Sequence, residues 1–172
     1  MPHVGCGPKR NDRTTLGFNT PEWTEIRLDI DLSVSPDVIG SMTDMSAVAS
    51  ESVDAIYSSH NIEHLYPHEA PLALAEFLRV LKPDGFFVVT CPDLQSVCKL
   101  VGEDKLTEAA YSSPAGPIAP IDILYGHRAA IANGNLFMAH RFGFTQTVLD
   151  GTLRASGVQI VATMSRGYAP FF

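Results

Sequence analysis

Two glycines separated by one residue, in Val4-Gly5-Cys6-Gly7-Pro8-Lys9, follow a short candidate strand at the start of the sequence. This spacing permits a sharp turn and a close backbone approach to a ligand at the carboxyl end of a strand. Asp29 lies 22 residues after Gly7, at the end of the next candidate strand. A carboxylate in that place accepts both hydrogen bonds of a ribose diol. Asp31 is near enough to compete, but strand alternation turns it to the opposite face. Arg10 replaces the third glycine of a dinucleotide fingerprint, and the Gly-Lys-Ser/Thr of a phosphate-cradling loop is absent. The expected ligand is a nucleoside without a pyrophosphate.

Histidine is the natural proton acceptor near neutral pH, and His60, His64, His127 and His140 are the ones to compare. His60 has the best place, after Ser58-Ser59 at the carboxyl end of a candidate strand, where parallel sheets bind ligands. His60, His64 and His68 recur every four residues, a spacing that sets imidazoles on one helical face for a metal. Pro67 interrupts that helix, however. Glu63 also stands directly before the second histidine, whereas zinc proteases place theirs directly after the first. No metal is expected. Cys6 reads as a small filler of the loop and Cys91 as a core residue.

The elements that must position these groups alternate between strand and helix. Residues 26–30 alternate at period two, and 53–59 start apolar and finish small and polar. Residues 69–81 form a helix, with Leu74, Phe77, Leu78 and Leu81 on one face and Pro71 in the first turn. Lys82-Pro83-Asp84-Gly85 stops it, and 86–91 is a β-prone run suited to a central strand. A short helix runs to about Val101. The Pro-rich stretch 112–120 is the one clear loop, a lid or a connector. A helix over 145–156 is capped by Thr145, has Val148, Leu149 and Leu153 on its apolar side and ends at Gly157, and 158–164 is the last strand. By contrast 10–23 is a poor helix, with Gly17 and Pro21 inside it. The first crossover helix is expected to be short or missing. The order indicates an α/β fold: a Rossmann-like, doubly wound, mostly parallel sheet of about six to seven strands with helices on both faces.

At 172 residues and 18.6 kDa the chain has the size of one domain. We expect a single domain over 1–172, its cofactor half at 1–93 and its substrate half at 94–172. A formal charge of −7 argues against duplex nucleic acid or an anionic membrane as the main partner. The sequence holds neither a long apolar run for a membrane span nor a signal-peptide pattern. Three irregularly spaced cysteines point to a reducing compartment, and a cytoplasmic location is expected. The apolar segment Tyr168-Ala-Pro-Phe-Phe172 would dock on the domain or on a second copy in a homodimer.

The sequence resembles the class I S-adenosylmethionine-dependent methyltransferases, most closely a small bacterial branch that begins at the glycine loop. The resemblance rests on Gly5-Cys6-Gly7-Pro8-Lys9, Leu28-Asp29-Ile30-Asp31, Ser52 to His60, Glu63-His64-Leu65, and Arg79-Val80-Leu81-Lys82-Pro83-Asp84-Gly85. It is clear over residues 3–93 and fainter from Tyr125 to Val161. It implies that Gly5, Cys6 and Gly7 pass under the methionine part of S-adenosyl-L-methionine and that Asp29 holds the ribose. It places Ser41, Met42 and Asp44 at the adenine, with Ile30 and Met42 as apolar contacts to the ring. Ser59 and His60 would border the sulfonium and the substrate. His64 belongs to the start of a helix that recurs in the family regardless of substrate. His127, Arg128 and His140 lie beyond the Pro-rich loop, on the substrate side. Two departures stand out: His3 occupies the place of an acidic residue, and Lys9 that of a third glycine.

The expected function is methyl transfer to an oxygen or nitrogen of a small polar molecule or glycan, releasing S-adenosyl-L-homocysteine, with His60 as base. Two rivals remain: a non-catalytic interaction module of the same fold, and a nucleotide-dependent oxidoreductase, which the missing third glycine disfavours.

Overall fold

The computed structural model describes residues 1–113 and 116–165. The chain divides into two compact units. The first joins Met1–Ile62 to His68–Thr90, and the second joins Glu63–Pro67 to the described chain from Cys91 onward.

The first unit is a parallel sheet. Its strands are β1 (Pro2–Val4), β2 (Ile26–Asp29), β3 (Val38–Ile39), β4 (Val53–Ser59) and β5 (Leu81–Thr90), with the helix α1 (Ala70–Val80) between β4 and β5. The spatial order is β3-β2-β1-β4-β5, and every pairing is parallel. Chain direction across the sheet reverses between β1 and β4, so the loops after these two strands open at the switch point where such sheets bind ligands. The expected Rossmann-like sheet is present, with five strands. The short β3 enters it, whereas 158–164 does not.

Residues on alternate sides of β4 and β5 meet different covers. Ala55 pairs with Phe86 and Tyr57 with Val88 on one face, while Ile56 pairs with Phe87 on the other. On the second face α1 buries Ala73, Leu74, Phe77 and Val80, with the Phe77 ring edge-on to Phe87. Leu78, expected on that apolar side, stays 36% exposed, because the buried stripe runs through Ala73 and Val80 instead. On the first face the segment between β1 and β2 holds only a 3-10 turn at Asn11–Arg13. Phe18 and Trp23 cover Tyr57, Ala55 and Met1 in place of a crossover helix. The Lys82-Pro83-Asp84-Gly85 turn survives as a bulge within β5, where the register against β4 shifts. A Cβ on Gly85 would lie about 3 Å from Lys82 O and Asp54 O, which explains the glycine.

The second unit contains α2 (Leu94–Gly102), a hairpin of β6 (Tyr111–Ser113) and β7 (Gly116–Ile118), α3 (Pro120–Tyr125), α4 (Arg128–Ala132) and α5 (Gln146–Ala155). The hairpin corrects the expected loop at 112–120. Tyr111 pairs with Ile118, Ser112 with Pro117 and Ser113 with Gly116, all antiparallel. Pro120 then starts α3 at a position where its missing N–H costs nothing. Thr145 caps α5 by accepting from Val148 N at 3.3 Å, as expected. Leu153 faces inward, but Val148 is exposed. The strand expected at 158–164 is not formed. Ile160 and Met164 are exposed, and Thr163 O instead accepts a bond from the Gln146 side chain at 3.1 Å. An apolar run shows strand propensity but cannot supply a pairing partner. The segment Tyr168–Phe172, and any docking by it, lies outside the described residues. No described helix is long and apolar enough to cross a membrane.

Candidate cofactor site and substrate-side residues

The loop after β1 is shaped by backbone conformation. Gly5 and Gly7 adopt φ of +63° and +55°, the left-handed region that side chains disfavour. A Cβ on Gly7 would meet nothing within 4 Å, so the loop backbone is open to a ligand there. A Cβ on Gly5 would collide with the Asn61 side chain. Asn61 donates to Val4 O and Ser59 O, both at 3.0 Å, and ties together the carboxyl ends of β1 and β4.

Asp29 ends β2 and is mostly buried. Its Oδ2 accepts from Gly7 N at 2.7 Å and its Oδ1 from Asp31 N at 2.9 Å. Two fixed backbone donors orient this carboxylate at the mouth of the sheet, and each oxygen keeps a second lone pair for a diol. Asp31 is used elsewhere: its Oδ1 caps the turn Leu32–Val34 through Ser33 N at 2.8 Å. Arg27 carries a role that its sequence context did not signal. Its buried guanidinium donates to Gly7 O at 2.6 Å, Lys9 O at 3.2 Å, Ser35 O at 2.7 Å and Val34 O at 2.9 Å. It thereby staples the glycine loop to the segment after β2.

Past β3, Ser41 forms a bridge with Asp44, and Ser41 Oγ lies 2.8 Å from Thr43 Oγ1. Met42 is half-buried and Asp44 exposed, its Oδ1 accepting from Ser46 N at 3.1 Å. The turn is anchored to α1 through the next residues. Glu76 Oε2 accepts from Met45 N at 2.7 Å, and Arg79, paired with Glu76, donates to Met45 O and Val48 O. Ile30 is exposed at the end of β2, as an adenine contact requires. At the end of β4, Ser59 Oγ lies 2.7 Å from Thr90 Oγ1, and His60 N donates to Thr90 O. His60 itself has φ of +57°, a strained value for a histidine. Gly5, Cys6, Gly7, Asp29, Ile30, Ser59 and His60 thus lie at or just past the carboxyl ends of β1, β2 and β4, and Ser41, Met42 and Asp44 in the turn after β3.

His3 does not substitute for the acidic residue that the family often has. It is buried, with Nδ1 2.8 Å from Glu25 Oε1 and its ring edge-on to Tyr57. Burial lowers its proton affinity more than Glu25 restores it. Cys6 is a buried filler whose thiol burial pushes up to about 11, and Cys91 is half-buried and pushed up to about 12.

His127, Arg128 and His140 belong to the second unit. Arg128 grips the buried Asp122 with Nε–Oδ1 at 2.6 Å and Nη2–Oδ2 at 3.1 Å, and this pairing holds the Asp122 carboxyl below its ordinary range. His140 Nδ1 donates to Ile123 O at 2.7 Å. The His127 ring has no hydrogen-bond partner among the described residues. His60, His64 and His68 do not share a helix: residues 62–64 form only a 3-10 turn.

Residues 3–89 match the family model described as a methyltransferase domain, and this covers half of the chain. The chain belongs to that methyltransferase family. No curated protein matches it. Among solved structures it is similar to an S-adenosylmethionine-dependent methyltransferase from Archaeoglobus fulgidus, at 15% identity and a TM-score of 0.54 over 91% of this chain and 59% of that one. A methyltransferase from Mesorhizobium loti matches at 16% identity and a TM-score of 0.54, over 91% and 72% of the two chains. A possible histamine N-methyltransferase from Thermotoga maritima matches at 18% and 0.51, over 91% and 62%. The chain thus spans about three-fifths of the length of the Archaeoglobus and Thermotoga proteins.

Proposed function

We propose that this chain binds S-adenosyl-L-methionine and transfers its methyl group to an oxygen or nitrogen of a small polar molecule or glycan, in the cytoplasm. The observation that carries the reading is the Asp29 carboxylate, fixed by Gly7 N and Asp31 N beside an open glycine backbone. Those residues fit the cofactor: Asp29 would hold the ribose, Gly7 would allow the backbone to approach, and Ile30 and Met42 would flank the adenine. The bound cofactor supplies an electrophilic methyl carbon, so the protein's share is alignment and proton removal. His60 would accept the proton that leaves the nucleophile. His127, Arg128 and His140 are the substrate-side residues of this reading, and His127 has the least engaged ring.

A second reading, an interaction module with little or no cofactor affinity, is favoured by Asn61, whose side chain fills the space above Gly5. Calorimetric titration with S-adenosyl-L-methionine and S-adenosyl-L-homocysteine, with NAD as control, separates the two. Micromolar binding, about −8 kcal/mol, weakened about tenfold to a hundredfold in Asp29→Ala, supports the enzyme. No heat and no thermal shift at millimolar ligand supports the module. With a substrate in hand, His60→Ala should lower kcat and leave cofactor affinity in place.

A further inference from the structure

The second unit gathers three metal-ligating groups that lie far apart in sequence. One ligand atom each from Glu63, His64 and His140 lies within 4.8 Å of the other two. Glu63 is fully buried, and both rings are half-buried. We propose that these residues form a binding site for a divalent transition-metal ion of the zinc class. The proposal is independent of the cofactor reading.

The tautomers are set by backbone. His64 Nδ1 lies 3.0 Å from Ala139 O, and His140 Nδ1 lies 2.7 Å from Ile123 O. A carbonyl only accepts, so each Nδ1 carries a proton, and in its neutral form each ring has its lone pair on Nε2. Metal-binding histidines are fixed in this way, with the second ring nitrogen donating to a carbonyl or carboxylate. The rings stand edge to face with centroids 4.8 Å apart. The backbone brings the third ligand alongside, since Arg141 N donates to Glu63 O at 2.9 Å and Phe142 N at 3.2 Å. Two imidazoles and a carboxylate make a donor set suited to Zn(II), Co(II), Ni(II) or Fe(II), and poorly suited to Mg(II) or Ca(II). Glu63 and His140 also line a cavity of about 190 Å³ with Leu94, Tyr125 and Arg141. A coordination position left open by three protein ligands would be reachable from it. No metal was expected of the array His60, His64 and His68; the fold instead pairs His64 with His140, 76 residues away.

The test is titration of the chelator-treated full chain with Co(II), displaced afterwards by Zn(II). The expected result is one equivalent bound, with visible absorption of nitrogen and oxygen ligation and no thiolate charge-transfer band. His64→Asn and His140→Asn keep an amide N–H for the carbonyl while removing Nε2, and each should weaken binding at least tenfold. His68→Asn, on an exposed histidine, should change nothing. The proposal is overturned if the parent protein binds no stoichiometric metal, as in a purely hydrogen-bonded cluster. It is equally overturned if a thiolate band appears, or if both asparagine variants, folded by circular dichroism, bind as the parent does.

Discussion

Asp29 and Asp122 are two aspartates of nearly equal burial, 8% and 7% exposed, with opposite surroundings. Asp29 receives two backbone N–H groups and, among the described residues, no cation. Asp122 receives Ala119 N at 3.0 Å and the forked guanidinium of Arg128. The first carboxylate is aimed but retains acceptor capacity. In the second, that capacity is taken up by holding the start of α3 to the start of α4. Burial alone does not separate a binding carboxylate from a structural one; the count and kind of donors does.

The largest effect that would break this contrast is on stability. Asp122→Ala should cost about 2–3 kcal/mol in denaturant unfolding, through lost charge-assisted bonds, and leave cofactor affinity within twofold. Asp29→Ala should do the reverse, lowering affinity by about tenfold to a hundredfold in calorimetry with a smaller loss of stability. Equal effects of both variants on binding would erase the distinction.

The glycine loop sharpens it next. Gly7→Ala should cost about 1–2 kcal/mol from its left-handed backbone alone. Gly5→Ala should cost more, because it also meets Asn61, and Asn61→Ala should recover only the steric part. Unfolding curves for the three variants and the double variant measure this coupling.

The smallest expected effect depends on pH. His3 has a lowered proton affinity in the folded protein, so the unfolded chain binds the proton more readily. Stability should hold above about pH 6.5 and fall below it, by at most about 1.4 kcal/mol per unit until the folded value is passed. His3→Gln should flatten that slope between pH 7.5 and 5. Parallel slopes for the two proteins would show that other groups carry the acid response.

Much of the first unit was legible because its signals are local. Period-two alternation located β2, an apolar start with a small polar finish located β4, helical periodicity located α1, and the glycines with Asp29 marked one sheet end. Arg27 and Asn61 escaped notice because an arginine on a strand and an asparagine after one are ordinary until the fold supplies carbonyls around them. The second unit was harder to read. Its α3 and α4 are six and five residues long, too short for periodicity to identify. The β-prone stretch 158–164 formed no strand because pairing is a property of the neighbour, not of the run. Glu63, His64 and His140 could not be grouped by any spacing rule, since the contact between His64 and His140 spans the second unit.

The three thiols differ in a way that can be used at the bench. Cys6 and Cys91, with pKa values near 11 and 12, expose roughly one thiolate in ten thousand or fewer at pH 7, while Cys98 lies exposed on α2. A maleimide dye at neutral pH would therefore attach at one site on the second unit of the unmutated protein. Its emission would give a label for following ligand or metal titrations without engineering a cysteine.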